Sequence, residues 1–230
     1  MQDTTYVEDA QSMPSITSRM DFLQKTYNHL LGAVVAFVAL EVFLFKSGIA
    51  LAIGGVLASN WLITLGGFIL VSWIASRFAQ KTESLPMQYL GLGLFIVAEA
   101  IIFTPLLLVA VYFSDPSVLT NAIFTTVIGF AILTMIVMYT KKDFSFLQPF
   151  LLVIGIAALV AIVASVLFSV TLGFYFSLGM VVFAAAAVLY DTSRVLRDYR
   201  EDQYVVAALQ LFASVALMFY YILQIFISRD

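Results

Sequence analysis

The stretch Pro149–Phe168 decides the fold class, because its sequence, PFLLVIGIAALVAIVASVLF, is 20 residues long and has no charged side chain. A helix rises about 1.5 Å per residue and the hydrocarbon core of a bilayer is about 30 Å thick, so roughly 20 apolar residues span a membrane. Of the 230 residues, 63% are hydrophobic and 11% are charged, whereas a soluble domain has about 25% charged residues. The sequence therefore predicts an all-α, polytopic integral membrane protein.

Seven apolar stretches alternate with short polar links, which predicts a seven-helix transmembrane bundle over residues 26–230. The glycines of Lys46–Val56 favour a loop there, and the polar residues 1–25 predict a cytosolic tail, with a short interfacial helix over Met13–Leu23 as an alternative. The predicted spans are Tyr27–Phe45, Leu57–Phe78, Met87–Phe113, Thr120–Thr140, Pro149–Phe168, Leu172–Leu196 and Tyr204–Ile227.

The distribution of positive charge predicts the orientation of this bundle. If the links alternate sides, nine of the 11 Lys and Arg residues share the side of the amino-terminal tail, and Lys46 and Arg229 do not. Because positive charge accumulates in cytoplasmic loops, we expect a cytoplasmic amino terminus and, with seven spans, an external carboxyl terminus. The nine residues are Arg19, Lys25, Arg77, Lys81, Lys141, Lys142, Arg194, Arg197 and Arg200.

Several function classes are excluded by what the sequence lacks. It has no cysteine and a single histidine, His29, so thiol chemistry and multi-histidine metal sites are excluded. It has no basic face for phosphates, so we expect no nucleic-acid partner, and no Gly-rich phosphate loop. The last span has no lysine for a retinal Schiff base, and no second carboxylate motif typical of an intramembrane aspartyl protease is present. We expect neither an enzyme nor a cofactor.

Three acids lie inside the predicted spans or near their ends, where a charge is costly and marks a candidate site. Glu41 lies near the outer end of the first span and is interpreted as an interfacial carboxylate that reaches water. Glu99 lies deeper, six residues before Pro105, which frees the carbonyl of Ile101 and allows a kink. Glu99 either lines a cavity near that bend or makes a structural hydrogen bond.

Asp191 is the strongest candidate for sensing protons or ions, and it lies near the cytoplasmic end of the sixth span. Arg194 is three residues later and is placed to pair with it on one helix face; Arg77, at the end of the second span, is the other candidate latch partner. Burial disfavours the charged carboxylate while a nearby arginine favours it, so this site suits a pH-sensitive latch. The alternative is an Asp–Arg pair that marks the membrane surface.

A polar stripe on the last span predicts a second set of inward-facing groups. Gln210, Ser214, Tyr221 and Gln224 fall on one face of a helix. We expect this face to point into the bundle, where its side chains form interhelical hydrogen bonds or contribute to a site.

The segments Tyr139–Leu147, Leu189–Ser193 and Ala208–Phe212 follow one another in this order. Together they resemble the Bax inhibitor (transmembrane Bax inhibitor motif) family over about Lys25 to the carboxyl terminus. Within that family, the Asp143–Leu147 run and the final Ser228-Arg229-Asp230 are most similar to the bacterial YccA-like branch, which modulates the membrane protease FtsH.

The resemblance implies two activities and a location in the bacterial inner membrane. Calcium-leak members gate a pore with a pair of acids in helices six and seven; Asp191 matches the first acid, whereas the second falls on Ser214. One carboxylate and one hydroxyl give neither a coupled pair nor the six to eight oxygen ligands that calcium prefers, so Asp191 would be the calcium ligand if this chain binds calcium. The leading hypothesis is therefore a modulator of an FtsH-like protease, and the alternative is a pH-sensitive ion or calcium leak gated through Asp191.

Overall fold

A computed structural model describes residues 16–81 and 83–229, and this part of the chain is helical with no strand. Seven of the helices are long and apolar enough to cross a membrane, which confirms the predicted number of spans. The helices are α1 (Ile16–Lys46), α2 (Ile49–Ser59), α3 (Trp61–Ala79), α4 (Leu85–Tyr112), α5 (Pro116–Thr140), α6 (Leu147–Leu167), α7 (Gly173–Arg197) and α8 (Tyr204–Ile227).

The short helix α2 replaces the loop predicted over Lys46–Val56, so that prediction was wrong, and the next span starts at Trp61 rather than at Leu57. Gly48 takes a left-handed φ of 77° at the start of α2, which glycine adopts without strain. Gly54 is buried, and a Cβ atom there would overlap Leu108 of α4. These glycines therefore permit a turn and a close helix contact instead of a flexible loop.

Helix α1 begins earlier than predicted, because residues 16–25 continue the helix as its first turns. The boundary drawn at Lys25 is therefore not a break in secondary structure. Residues 1–15, which include the start of the alternative Met13–Leu23 helix, lie outside the described residues.

Helix α8 is the centre of the bundle and packs on α1, α4, α5 and α7. In its most apolar window 67% of the residues are buried, against 6% for α6, although α6 has the higher mean hydropathy, 3.0 against 2.0. Lipid solvates the apolar surface of α6 as well as protein would, so hydropathy alone does not select the central helix.

The contacts between helices define two ends of the bundle. His29 in the middle of α1 hydrogen-bonds through Nε2 to the hydroxyl of Tyr89 near the start of α4 (2.8 Å) and packs against Tyr204 at the start of α8. At the opposite end Phe45 stacks on Tyr112, where α1 and α4 finish. We call the end that holds the first turns of α1 and the α3–α4, α5–α6 and α7–α8 links the basic end, and the opposite end the far end.

Close backbone packing strengthens the basic end. A Cβ atom on Gly91 of α4 would lie 2.5 Å from the carbonyl oxygen of Ala75 and 2.6 Å from the amide nitrogen of Ala79, both on α3. Only glycine lets the two backbones approach this closely, so α3 and α4 are locked together there.

Candidate functional site

Asp191 and Ser214 form a buried hydrogen bond between α7 and α8. The Ser214 hydroxyl donates to Oδ2 of Asp191, and the two residues are 5% and 7% exposed, respectively. The two helices pack extensively against each other, so this bond lies inside a buried helix contact, where the low local dielectric strengthens it. The structure thus brings together the two residues that the resemblance aligned with the acid pair.

Ser193, two residues after Asp191, ties α7 to the link between α5 and α6. Its Oγ atom accepts a hydrogen bond from the amide of Phe144 (3.1 Å) and donates to the carbonyl oxygen of Lys142 (3.5 Å). Arg197 adds a second tie from α7, because its guanidinium donates to the carbonyl oxygen of Lys141. The Tyr139–Leu147 and Leu189–Ser193 segments of the resemblance therefore meet at the basic end.

Thr192, which lies between Asp191 and Ser193, faces α1 and α5. Its side chain is fully buried, and the hydroxyl of Tyr27 on α1 interacts with it and with Thr134 on α5. None of these three oxygens has a partner of good hydrogen-bond geometry in the part of the chain that the structure describes. Asp191, Thr192 and Ser193 thus connect α7 to α8, to α1 and α5, and to the α5–α6 link, in that order.

Neither candidate latch arginine forms an ion pair with the Asp191 carboxylate among the described residues. Within the described ranges 16–81 and 83–229, Arg194 forms its ion pair with Asp198, Nε to Oδ2 at 3.7 Å, rather than with Asp191. The Arg194 guanidinium also lies 5.5 Å from the ring centroid of Tyr190 and 4.9 Å from that of Tyr199, so the predicted Asp191–Arg194 ion pair is not formed in the described part of the chain. Arg77 is exposed and lies over the ring of Trp73, 5.3 Å from its centroid.

Arg19 binds the last turn of α7 and the residues that follow it. Its guanidinium donates to the carbonyl oxygens of Tyr199 and Val195, both at 2.6 Å, and Ser18 donates to Glu201 beside it. Burial raises the pKa of Tyr199 to about 12, so its phenol remains neutral. We call this contact between Arg19 and the carbonyl oxygens of Val195 and Tyr199 the Arg19 clamp. Because any residue can supply a backbone carbonyl, no sequence pattern predicts the clamp.

Glu99 and Glu41 are both buried, at 6% and 7% exposure, but neither joins the Asp191 site. Glu99 is on α4, which packs on α8 and makes no extensive contact with α7 among the described residues; α4 also continues as one helix through Pro105. Glu41 lines a groove at the far end. The expectation that Glu41 reaches water was therefore wrong.

The remaining polar residues of α8 behave as the stripe predicted. Ser214 and Tyr221 are buried, and Gln210 and Gln224 are half-buried, so this face points into the bundle.

The arrangement at Asp191 can hold a proton but offers few ligands to a metal ion. One carboxylate and one hydroxyl converge, and no group of three His, Cys, Asp or Glu side chains lies close enough together to hold a metal among residues 16–81 and 83–229. When Asp191 is ionised, the Ser214 hydroxyl stabilises it as a donor; when it is protonated, it can itself donate. The protonation state of Asp191 therefore decides which of the two side chains donates across the α7–α8 contact.

Comparison with known proteins identifies the family. The family model described as "Inhibitor of apoptosis-promoting Bax1" matches residues 19–230. The protein LIFEGUARD 4 of Arabidopsis thaliana is 27% identical over 220 residues, which cover 92% of this chain and 86% of that protein. The protein PA2604 of Pseudomonas aeruginosa is 35% identical over 111 residues, 48% of this chain and 50% of that protein. With seven apolar helices that carry the Asp191 site, this chain is a multi-pass membrane protein that belongs to the Bax inhibitor (LIFEGUARD) family.

Proposed function

We propose that this protein is a non-enzymatic protein of the bacterial inner membrane that binds and modulates a membrane quality-control protease of the FtsH type. Its amino terminus is cytoplasmic in this proposal, because nine of the 11 basic residues belong to the basic end and positive charge accumulates in the cytoplasm. The observation that carries the proposal is the hydrogen bond from Ser214 to Asp191. It closes the α7–α8 contact where conducting relatives have a pair of acids.

The Arg19 clamp supplies the mechanism of this proposal. An ATP-driven protease that pulls on residues 1–15 transmits its force to the first turn of α1, where Arg19 is bound to the carbonyl oxygens of Val195 in the last turn of α7 and of Tyr199 just after it. The force is therefore shared by α1 and α7 instead of unwinding α1 alone. A chain that engages the protease and resists extraction occupies it, and the turnover of other membrane substrates slows.

The test follows the degradation of a known membrane substrate of the protease in cells that overproduce this protein. We expect the intact chain to copurify with the protease and to slow substrate turnover. Deletion of residues 1–15 should abolish the effect, and Arg19→Ala should make the protein itself short-lived. Arg77→Ala is the matched control, because Arg77 contacts only the exposed ring of Trp73 in the interactions described above. If the intact and the tail-deleted chains both leave substrate turnover unchanged, the proposal fails.

A pH-sensitive leak for protons, calcium or other ions is the second candidate, and the burial of Asp191 favours it. The closed state in this hypothesis is the one in which Asp191 accepts the Ser214 hydrogen bond, and a change in its protonation loosens α7 from α8. Arg194, three residues from Asp191 and now paired with Asp198, is the group placed to exchange partners during opening.

Flux from proteoliposomes between pH 6 and 8 separates the two candidates. The leak hypothesis predicts a pH-dependent flux that Asp191→Asn removes without unfolding the protein, while Asp202→Asn in the α7–α8 link leaves it intact. The protease proposal predicts no flux above empty vesicles for any of these proteins.

A further inference from the structure

The far end of the bundle contains an apolar groove of about 470 Å³ between α1 and α5. Both helices pack on α8, but they make no extensive contact with each other among the described residues. The floor is formed by α4 and α8, with Leu107, Phe212 and Phe219 among its residues. The groove therefore lies where two helices diverge over the centre of the bundle.

The groove runs along α1 from the far end towards the middle of the bundle. Its lining residues on α1 extend from Lys46, the last residue of the helix, back to Val34. About 12 residues of helix at 1.5 Å each give a length of about 18 Å. This length is close to the thickness of one leaflet, which is half of a hydrocarbon core of about 30 Å. The groove thus has the direction and the length of an acyl chain in the leaflet at the far end.

The groove opens sideways to lipid, and its walls offer almost no polar surface to a ligand. Val38 on α1 and Ile123 and Val127 on α5 line it and are 52%, 46% and 59% exposed. The carboxyl oxygens of Glu41 are inaccessible, and the hydroxyl of Thr126 is already bonded within its own helix. The part of a ligand that lies in the groove is therefore a hydrocarbon chain that enters from the bilayer.

Lys46 places a positive charge at the mouth of this groove. Its side chain is exposed at the end of α1, and it forms no ion pair within residues 16–81 and 83–229. Headgroup phosphates lie at the surface where transmembrane helices end, and an ammonium group binds a phosphate through its charge and its three hydrogen-bond donors. The mouth therefore complements an anionic headgroup, whereas the groove complements the chain attached to it.

We propose that the groove binds one anionic phospholipid of the leaflet at the far end, with an acyl chain between α1 and α5 and its phosphate on Lys46. The chain fills the space that the two helices leave and packs against the floor of the groove. A zwitterionic lipid brings the same chain, but its own cation competes with Lys46 for the phosphate, so the site favours a headgroup with net negative charge. The groove shares no lining residue with the Asp191 site, so this inference does not depend on the protease proposal.

The experiment measures lipid binding to the full chain in detergent by native mass spectrometry, with phosphatidylglycerol and phosphatidylcholine of identical acyl chains. We expect phosphatidylglycerol to bind about fivefold more tightly, which is the effect of one lysine near an anionic headgroup. Lys46→Gln should remove this preference. Arg229→Gln is the matched control, since Arg229 is an exposed cation at the same end that does not line the groove, and it should retain the preference.

A second pair of variants tests the binding of the chain without changing the charge. Ile123→Trp fills the groove from its lipid-facing wall and should weaken the binding of both lipids. Ile132→Trp is its control, because Ile132 is on the same helix and is 48% exposed but does not line the groove. Excess glycerol phosphate should leave the bound lipid in place, because it carries the phosphate without a chain.

Equal binding of the two lipids to the wild-type protein would overturn the proposal, and so would an equal loss of preference in Lys46→Gln and Arg229→Gln, since the charge would then act from anywhere at this end. Binding that is unchanged in Ile123→Trp, or reduced equally in Ile132→Trp, would refute the groove as the place of the chain. Displacement by glycerol phosphate would also overturn the proposal, because a soluble phosphate would then be sufficient. The four substituted side chains are exposed or face lipid, so the variants should fold.

Discussion

The two ends of the bundle are built from the same kinds of helices but are held together in different ways. At the basic end, Asp191, Ser193, Arg19 and Arg197 each bind a second segment of the chain. At the far end, α1 and α5 diverge around a groove in which Glu41 has no partner among the described residues. Lipid and apolar side chains solvate one another equally well, so polar contacts and small residues decide where membrane helices close together. We therefore expect the basic end to contribute more to stability, whereas the far end contains the open groove.

We expect the largest difference in stability between the two ends when a glycine is replaced by alanine. Gly91→Ala should destabilise the protein by about 3 kcal/mol, because the new Cβ meets the α3 backbone, which cannot move aside without parting the helices. Gly54→Ala at the far end should cost less, since the atom in its way is the terminal methyl of Leu108. Both are measured by thermal unfolding in detergent.

Gly93→Ala is the control for this pair, because Gly93 is on the same helix as Gly91 and has open space around it. It should leave the melting temperature nearly unchanged. A loss in Gly93→Ala as large as that in Gly91→Ala would show that helix α4 resists alanine for reasons other than packing at the basic end.

The Arg19 clamp should give the next largest effect. Arg19→Ala removes two charge-assisted hydrogen bonds to backbone carbonyls, and because the side chain is partly exposed we expect a loss of about 1–2 kcal/mol. Limited proteolysis of the α7–α8 link reports it, with faster cleavage in Arg19→Ala. Arg77→Ala should be cleaved at the wild-type rate, and equal acceleration in both variants would contradict the clamp.

Two of the buried acids, Glu41 and Asp191, should respond in opposite directions to the same substitution. Glu41→Leu replaces an unpartnered polar group with an apolar one and should raise stability by up to about 1–2 kcal/mol. Asp191→Leu breaks the bond to Ser214 and should lower it. Denaturation with sodium dodecyl sulfate measures both, and a loss of stability in Glu41→Leu would mean that Glu41 has a partner after all.

The smallest effect concerns pH, and it should be similar at the two ends. Hydrogen bonds from Ser145 lower the pKa of Asp143 at the basic end, and the amide of Ser117 lowers the pKa of Asp115 at the far end. Stability from each is fully present above the usual aspartate pKa of about 4 and is lost as the pH falls through the lowered value. Asp143→Asn and Asp115→Asn should therefore each show a slightly smaller decrease in melting temperature between pH 5 and pH 2 than the wild type.

Hydropathy was enough to predict the spans, because length and apolarity are what a bilayer requires. Helix α2 was missed because Gly48 and Gly54 indicate a loop in water, whereas between packed helices they permit a turn and a close contact. In soluble proteins and in lipid the same residue type therefore carries different structural information.

At the site, sequence reasoning identified Asp191 from its cost in lipid and Ser214 from the resemblance, and the structure joins them. Arg194 pairs with Asp198 at i+4, because spacing on a helix permits either partner, and its role as a latch for Asp191 stays a prediction. The groove at Glu41 depends on the distance between α1 and α5, which no local pattern encodes. The sequence did not predict contacts between segments that are far apart along the chain.

The most direct test of the account is a double-mutant cycle on Asp191 and Ser214 by unfolding in detergent. If the hydrogen bond between α7 and α8 closes the basic end, Asp191→Asn and Ser214→Ala should couple by about 1–2 kcal/mol, so that the second substitution adds little once the first is present. Purely additive losses would contradict the account, since the two side chains would then act independently and the central contact of the basic end would not exist.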